Sequence, residues 1–558
     1  MLRLVGYNQL QVPQVAKDGM LTQPSAVSIQ PSRLAPKWKV LISVVFGIFM
    51  VILDTTVVNV AFQTLRAEYG ATLNEAQWII SIYVLALGIS TPLAGFLSDR
   101  FGIKQTYLTG LAIFVLGSLL CGLAPSLPFL IAARALQGFG GGLAMPLGIT
   151  LILRTFPPAE QGMALGIFGI AALTAPAVGP LLGGYLVDQN LWRAIFFINP
   201  PIGLLGIFLG SRFLPNIKSG HRPTFDVWGL ITETIGFGAV LYGASVAANE
   251  GWTAPEVLVS FVVGAIGLAA FAIVELYVAK DPLLDLRLFA KRIFLNASLL
   301  GYVSVIALFG AEFLMPIYLQ SLRGITAFQT GLILLPLAIT GAISAVIAGR
   351  LYDRVGPRPL VAFGFGVLVI NTWQLSKLTA DTPISWIVFL LVLRGLALGF
   401  TVQTTLVTAL SVVPLKQLAH GSSLTNATRQ VVQAIGVAML ATVLASTLSP
   451  QVTALQQQFL DRPPQPGVPP VALCSPAADP SNVSVGGGSL STAAVALPPN
   501  ARQLMSEACA ESVAGFEQAY SVTFYAAVIA VLLGVMLPGW PFKWAGRRAA
   551  DVPPPIAH

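Results

Sequence analysis

Charge is what this chain most lacks. Asp, Glu, Lys and Arg make up only 10% of its 558 residues, against about 25% in an average soluble domain. So few charges cannot cover a surface that faces water. Histidine and cysteine are scarce too, at three each. They form no metal-ligand spacing and no nucleophile–base pair, so no metal, no cofactor and no enzyme are expected. No Gly-x-x-x-x-Gly-Lys-Ser/Thr loop occurs, which argues against ATP hydrolysis within the chain. No basic run is interleaved with aromatics on a soluble face, so the net charge of +8 does not point to nucleic acid.

What fills the chain is apolar: 55% of it is hydrophobic and the mean hydropathy is +0.78. Lipid is the solvent such a chain suits. Crossing a bilayer core as a helix takes about 20 apolar residues. Fourteen runs of that kind are found, at 39–62, 76–98, 106–124, 128–152, 161–187, 193–213, 227–248, 257–279, 293–320, 327–350, 359–379, 384–411, 422–447 and 516–540. With the N-terminus inside, most of the 31 Lys and Arg residues are cytoplasmic. Only Arg66, Arg193, Arg323, Lys377, Arg462 and Arg502 fall outside. This positive-inside bias places both termini in the cytoplasm of a plasma-membrane protein. Residues 1–37 lack the apolar core of a signal peptide and read as a cytoplasmic tail, as do 541–558. The Pro/Gly/Ser-rich segment 449–515 reads as an external loop, with one short surface helix over 501–514. Its Cys474 and Cys509 are a disulfide candidate, two free thiols being the alternative. His221, His420 and His558 are expected in cytoplasmic loops or at the terminus.

The chain repeats itself. Gly95, Asp99, Arg100, Gly102 and Lys104 recur 254 positions later as Gly349, Asp353, Arg354, Gly356 and Arg358. Arg134 and the glycines after it are echoed at Arg394, 260 positions on. Spans 1–6 therefore correspond to spans 9–14, and spans 7 and 8 are an inserted pair. The expected fold is an all-α polytopic membrane protein. Six-helix bundles at 38–213 and 286–540 flank a linker at 214–285 that holds two extra helices. Paired helical halves suit alternating access.

At this point the chain resembles the major facilitator superfamily, in particular its 14-span drug:proton antiporters of the QacA and EmrB kind. The loop motif lies at 95–104, with Ile103 where the family usually has a basic residue. The first-span motif is Leu53-Asp54-Thr-Thr56-Val-Val58-Asn59-Val60-Ala61, and the fourth-span motif is Arg134-Ala-Leu-Gln137-Gly138-x-Gly140. The fifth-span antiporter motif is Gly166, Ala175, Gly179-Pro180 and Gly183-Gly184, with Ala175 in place of one glycine. The resemblance implies proton-driven export. It also implies a part for Arg134 in proton coupling.

The residues themselves support a similar reading. Asp54 lies about 15 residues, roughly 22 Å, into the first span. A carboxylate at that depth is costly and marks function by default. The plainer alternative is a structural acid satisfied by Thr55, Thr56 or Asn59. Arg134 enters from the opposite side to a similar depth, so the two could pair and proton uptake by Asp54 would break the pair. Alternatively Arg134 only ties its helix to carbonyls. Glu312 sits in span 9, the repeat partner of span 1, and is taken as a second coupling acid; a neutral packing contact is the alternative. Asn59, Gln137, Gln403, Asn426, Gln430 and Gln433 are expected to line a substrate cavity, interhelical hydrogen bonding being an equal reading. Arg429 is expected to snorkel. Glu233 and Glu275 are read as interfacial. The loop at Asp99, Arg100 and Lys104, with its copy at Asp353 and Arg354, is read as an inner-gate latch. Gly166, Gly179, Pro180, Gly183 and Gly184 form a hinge.

The expectation is a monomeric exporter whose partners are protons, membrane lipid and amphipathic small molecules, often cationic. A dedicated exporter or flippase of one lipid or metabolite shares these motifs. A receptor or polytopic enzyme would have no need for buried acids in repeat-equivalent helices.

Overall fold

A computed structural model describes residues 35–217, 223–447, 449, 474 and 501–537, and among them it contains helices and no strand. The first six long helices are α1 Pro36–Glu68, α2 Leu73–Phe101, α3 Ile103–Gly122, α4 Leu127–Thr155, α5 Gln161–Asp188 and α6 Asn199–Phe213. Two follow as a hairpin, α7 Val227–Glu250 and α8 Pro255–Ile273. The last six are α9 Arg292–Ile317, α10 Ala327–Val355, α11 Pro357–Leu375, α12 Ile384–Ser411, α13 Leu418–Ser446 and α14 Ala501–Gly534. Twelve helical stretches among the described residues are long and apolar enough to cross a membrane. The helices α9 and α11, of 26 and 19 residues, fall outside that set.

Local sequence sets the boundaries. Thr72 caps α2 and Thr326 caps α10, each in a capping box, with Glu75 and Gln329 respectively. The two boxes are 254 positions apart, so the repeat extends to the helix starts. At the other ends, Gly102 (φ +98°) and Gly356 (φ +79°) are single-residue links into α3 and α11. Positive φ favours glycine there. The expected span 193–213 is matched by the apolar stretch Ala194–Phe213, which has one interruption. A short helix, Ala194–Phe197, precedes α6, which restarts at Asn199-Pro200-Pro201. Proline supplies no N–H and suits a first turn. The short surface helix expected at 501–514 and the last span form one continuous helix, the 34-residue α14. No proline interrupts it, and at 1.5 Å per residue it exceeds a bilayer core of about 30 Å.

The first six helices pack among themselves, α4 lying against α2 and α3, and α1 against α5 and α6. The last six do likewise around α12, which touches α9, α10 and α11. Between the two groups, α5 packs along α10 and α2 along α13. A Cβ at Gly166 of α5 would lie 2.5 Å from the Ala345 carbonyl, and one at Gly349 of α10 would lie 2.3 Å from the Gly162 carbonyl. Only small residues permit such backbone contact, the device membrane helices use to pack closely. The α7–α8 hairpin rests on α2 and α13.

Candidate functional site

Asp54 of α1 is 1% exposed and holds three donors. The Nη1 group of Arg134 donates to its Oδ2 at 2.5 Å. Gln137 Nε2 and Asn199 Nδ2 donate to its Oδ1 at 2.8 and 2.7 Å. Arg134 is itself 1% exposed. It also donates to Gln137 Oε1 at 2.8 Å and to the Ile79 carbonyl at 3.1 Å, and its guanidinium lies 4.0 Å from the Tyr83 ring centre. Asn199 donates to Ser118 Oγ at 3.0 Å, and the Ser118 hydroxyl donates to the Phe196 carbonyl at 2.8 Å. Four helices, α1, α3, α4 and α6, thus converge on one carboxylate. Glycine makes the depth reachable: a Cβ at Gly138 would lie 2.3 Å from the Tyr83 carbonyl, so α4 sits directly on the α2 backbone.

The chemistry follows from the donor count. Oδ2 accepts one donor and Oδ1 two, so Oδ2 is the oxygen with a lone pair left for a proton, and a proton there would cancel the charge that holds Arg134. A buried ion pair holds only while both charges are present. In this arrangement Asp54 is sealed from solvent.

Gln137, expected in a substrate cavity, belongs instead to this network. Asn199 and Ser118 were not anticipated. Asn199 sits at the head of a Pro-Pro sequence that reads as a loop boundary, and the one available hint was a polar residue beside an apolar run. The other expected cavity residues lie elsewhere. Asn59 is exposed on α1. Gln403 of α12 is 3% exposed against Gly169 of α5, with Oε1 unbonded. Asn426 donates to its own helix at Ser422, Gln430 reaches Thr91 of α2 at 3.3 Å, and Gln433 is half-buried. A recess of about 500 Å³ between α2, α7 and α8 is lined by Trp78, Leu85, Tyr242 and Val263, and none of these polar residues borders it.

The repeat partner of Arg134 has different company. Arg394 is fully buried, donates to the Ala307 carbonyl at 2.6 Å and to Asn371 at 3.3 Å, and leaves Nε unbonded. Arg429 does not snorkel. It lies between Gly301 and Thr405, with its Nε unbonded. Neither has a carboxylate in contact among the described residues. Glu312 lies on α9, and its side chain falls outside the described residues.

The two copies of the loop motif cross between the halves. Asp353, at the end of α10, accepts from Gly162 N and Met163 N, both at 3.0 Å, at the start of α5. Asp99, at the end of α2, meets His420 Nε2 of α13 at 3.0 Å. Gly95 leaves room for that imidazole, its Cβ position being 3.0 Å from His420 Nδ1. His420 is therefore in a helix and paired, not in a loop. Arg100 and Arg354 are exposed, and Lys104 donates to the Ser211 carbonyl at 2.6 Å. In the fifth-span motif, Gly179 and Gly183 pack α5 against Thr56 and Val57 of α1, while Gly166 packs it against α10. Pro180 stands inside an unbroken α5, and Gly184 is buried. Cys474 and Cys509 are joined by a disulfide, with Cα atoms 5.1 Å apart, and Cys474 N donates to the Leu322 carbonyl. Glu233 and Glu275, read as interfacial, are buried within the protein at 0% and 2% exposure, Glu275 against Gly229 and the backbone of Leu283 and Leu284.

The sequence of residues 44–437 matches the model of the Major Facilitator Superfamily. The chain belongs to that superfamily. It is a multi-pass membrane transporter, not an enzyme. It is similar to the lincomycin resistance protein LmrB of Bacillus subtilis (strain 168), 31% identical over 456 residues, with 81% of this chain and 93% of LmrB covered. It is also similar to a multidrug resistance protein B homolog of Mycobacterium tuberculosis (strain ATCC 25618 / H37Rv), 32% identical over 399 residues, covering 70% and 73% of the two chains. In three dimensions it matches the human organic anion transporter MFSD10 (TETRAN) with a TM-score of 0.57, over 90% of this chain and all of that one, at 13% identity. A likeness that distant in sequence concerns the fold alone.

Proposed function

We propose that this transporter is a proton-coupled antiporter that exports amphipathic, often cationic compounds across the plasma membrane by alternating access. In this reading α9 and α11 also cross, giving fourteen spans with both termini cytoplasmic. The observation that carries the proposal is Asp54, a carboxylate sealed among four helices with Arg134 on the oxygen a proton would take. Proton uptake releases Arg134 and loosens α1 from α4. Deprotonation draws them back. The latches at Asp353 and Asp99, on the cytoplasmic side in this topology, hold that gate shut while the opposite side opens. Resistance functions in the names of two relatives support drug export.

A second reading rests on Arg394 and Arg429. Buried or half-buried cations without an acidic partner among the described residues suit an anionic group, as in a dedicated exporter or flippase of an acidic lipid or metabolite. Transport by purified protein in vesicles under an imposed pH gradient separates the two. A panel of lipophilic cations, neutral lipophiles and acidic lipids would be offered. Gradient-driven movement of cations supports the first reading. Movement of acidic lipid alone supports the second.

A further inference from the structure

The inserted hairpin carries polar groups that a spacer would not need. Glu233 of α7 is fully buried, and neither carboxyl oxygen has a hydrogen-bond partner. Glu275 stands in a π-helical turn, Val274–Val278, that continues α8. Such turns are often found at functional sites. Glu275 accepts from Leu283 N at 3.2 Å and from Leu284 N at 3.4 Å. Asp226 accepts from Gly229 N through Oδ1 and leaves Oδ2 unbonded. Asp226 and Glu275 converge on Gly229, where a Cβ would lie 2.2 Å from Asp226 Oδ2 and 3.0 Å from Glu275 Oε1. No lysine or arginine contacts any of the three carboxyls among the described residues.

One residue ties this cluster to the latch. The N–H of Leu283 bonds Glu275, and the carbonyl of Leu283 bonds His420 Nδ1 at 3.0 Å. The other ring nitrogen of His420 meets Asp99 Oδ2 at 3.0 Å. A carbonyl oxygen only accepts, and so does an ionised carboxylate. Both contacts are hydrogen bonds at once only when both ring nitrogens carry hydrogen. Other charged groups around the ring are Asp285, which accepts from Gln417 Nε2, and Arg154 of α4, which donates to the Lys416 carbonyl. Arg287 donates to the Leu276 carbonyl, away from the carboxyls. Around His420 the acids Asp99, Asp285 and Glu275 thus outnumber the cations.

We propose that His420, Asp99 and Glu275 form a second proton site, separate from Asp54, in which an imidazolium at His420 locks α13 to α2 and is coupled through Leu283 to the carboxyl of Glu275. As pH rises the ring loses one hydrogen, Nε2 then presents a lone pair to Asp99, and the latch weakens. Latching is thus complete at low pH and lost at high pH, within the histidine range of about pH 5 to 8. The site adds a pH response of the gate to the proposed transport cycle and does not depend on Asp54 being the coupling carboxyl.

The test uses the full chain in lipid nanodiscs. Spin labels at Phe101→Cys and Lys416→Cys, both exposed positions flanking the latch, report its width. In the otherwise unchanged chain the distance should lengthen as pH is raised. With Glu275→Gln the same transition should move to lower pH, since the acid joined to the ring through Leu283 is then lost. His420→Asn should give a latch whose width no longer follows pH. A width independent of pH in the unchanged chain, or a pH profile retained in His420→Asn, overturns the proposal. So does a profile abolished by Asp54→Asn, which would assign the response to Asp54. A check that leaves the site itself unaltered is open because the chain has only three histidines. Nitrogen NMR of a chain carrying His221→Asn and His558→Asn, in which His420 is the one labelled ring, should find two protonated nitrogens there at neutral pH. A neutral ring contradicts the proposal even if every variant of the site misfolds.

Discussion

Removing one charge of the buried pair should cost far more than removing both. In Asp54→Asn the side chain keeps its size, but one oxygen becomes a donor facing Arg134, Gln137 or Asn199, all of which donate to that carboxylate. Arg134 keeps Gln137 Oε1, the Ile79 carbonyl and the Tyr83 face. It cannot shed its proton, so it remains a buried cation without an anion. Breaking a buried pair in this way costs about 3–5 kcal/mol. The contacts Arg134 retains favour the lower end. Arg134→Gln leaves Asp54 with two amide donors and the option of taking a proton, so its cost should fall as pH falls. The double variant Asp54→Asn with Arg134→Gln removes both charges. The two singles should then overshoot the double by about 2 kcal/mol or more, within the range known for directly coupled residues. Reversible unfolding in mixed micelles at two pH values gives all four corners of the cycle. Additivity within about 0.5 kcal/mol would show that the two groups do not interact as described, whatever transport does.

Other outcomes follow from the latch contacts, the sequence repeat and the proposed topology. Asp353→Ala removes the acceptor for two amides at the start of α5, worth about 1–2 kcal/mol as a helix cap, and should raise the latch-open population several-fold in inter-helix distance measurements; an unchanged distribution would contradict the latch. Glu312→Gln should weaken efflux of a monovalent cation more than efflux of a neutral lipophile, because a carboxylate in a low-dielectric site attracts cations specifically. Equal loss for both would make Glu312 part of the coupling machinery, and no loss would make it a brace. Reporter fusions at residues 250 and 480 should read external, and at 220 and 418 internal; a cytoplasmic signal at 480 would overturn the fourteen-span topology.

Much of this was legible because membrane helices declare themselves by length and apolarity, and because the repeat at an offset of 254 aligns the halves. Asp54 and Arg134 stood out as charges deep in apolar runs, and similar depths from opposite ends brought them together. Their amide partners were harder to see. Gln137 lies one turn beyond Arg134, which fits a cavity wall as well as a charge network, and Asn199 hides at a helix start. Residues near span ends were the main errors. Glu233 and Glu275 have the sequence context of interfacial groups and His420 that of a loop residue, and their surroundings come from segments distant in the chain: the α7–α8 hairpin with residues 283–284 for Glu275, and Gly95 and Asp99 of α2 for His420. No periodicity within a single helix encodes such contacts. Arg429 was misplaced for a similar reason, since its neighbours Gly301 and Thr405 come from α9 and α12.

The central claim is that Asp54 carries the coupled proton. Purified transporter in proteoliposomes would be given a fluorescent lipophilic monocation, with and without a pH gradient, in the wild type and in Asp54→Asn. The account predicts that the gradient drives accumulation in the wild type. It predicts that Asp54→Asn still exchanges labelled for unlabelled substrate across the membrane, without responding to the gradient. Full gradient-driven accumulation in Asp54→Asn would contradict it.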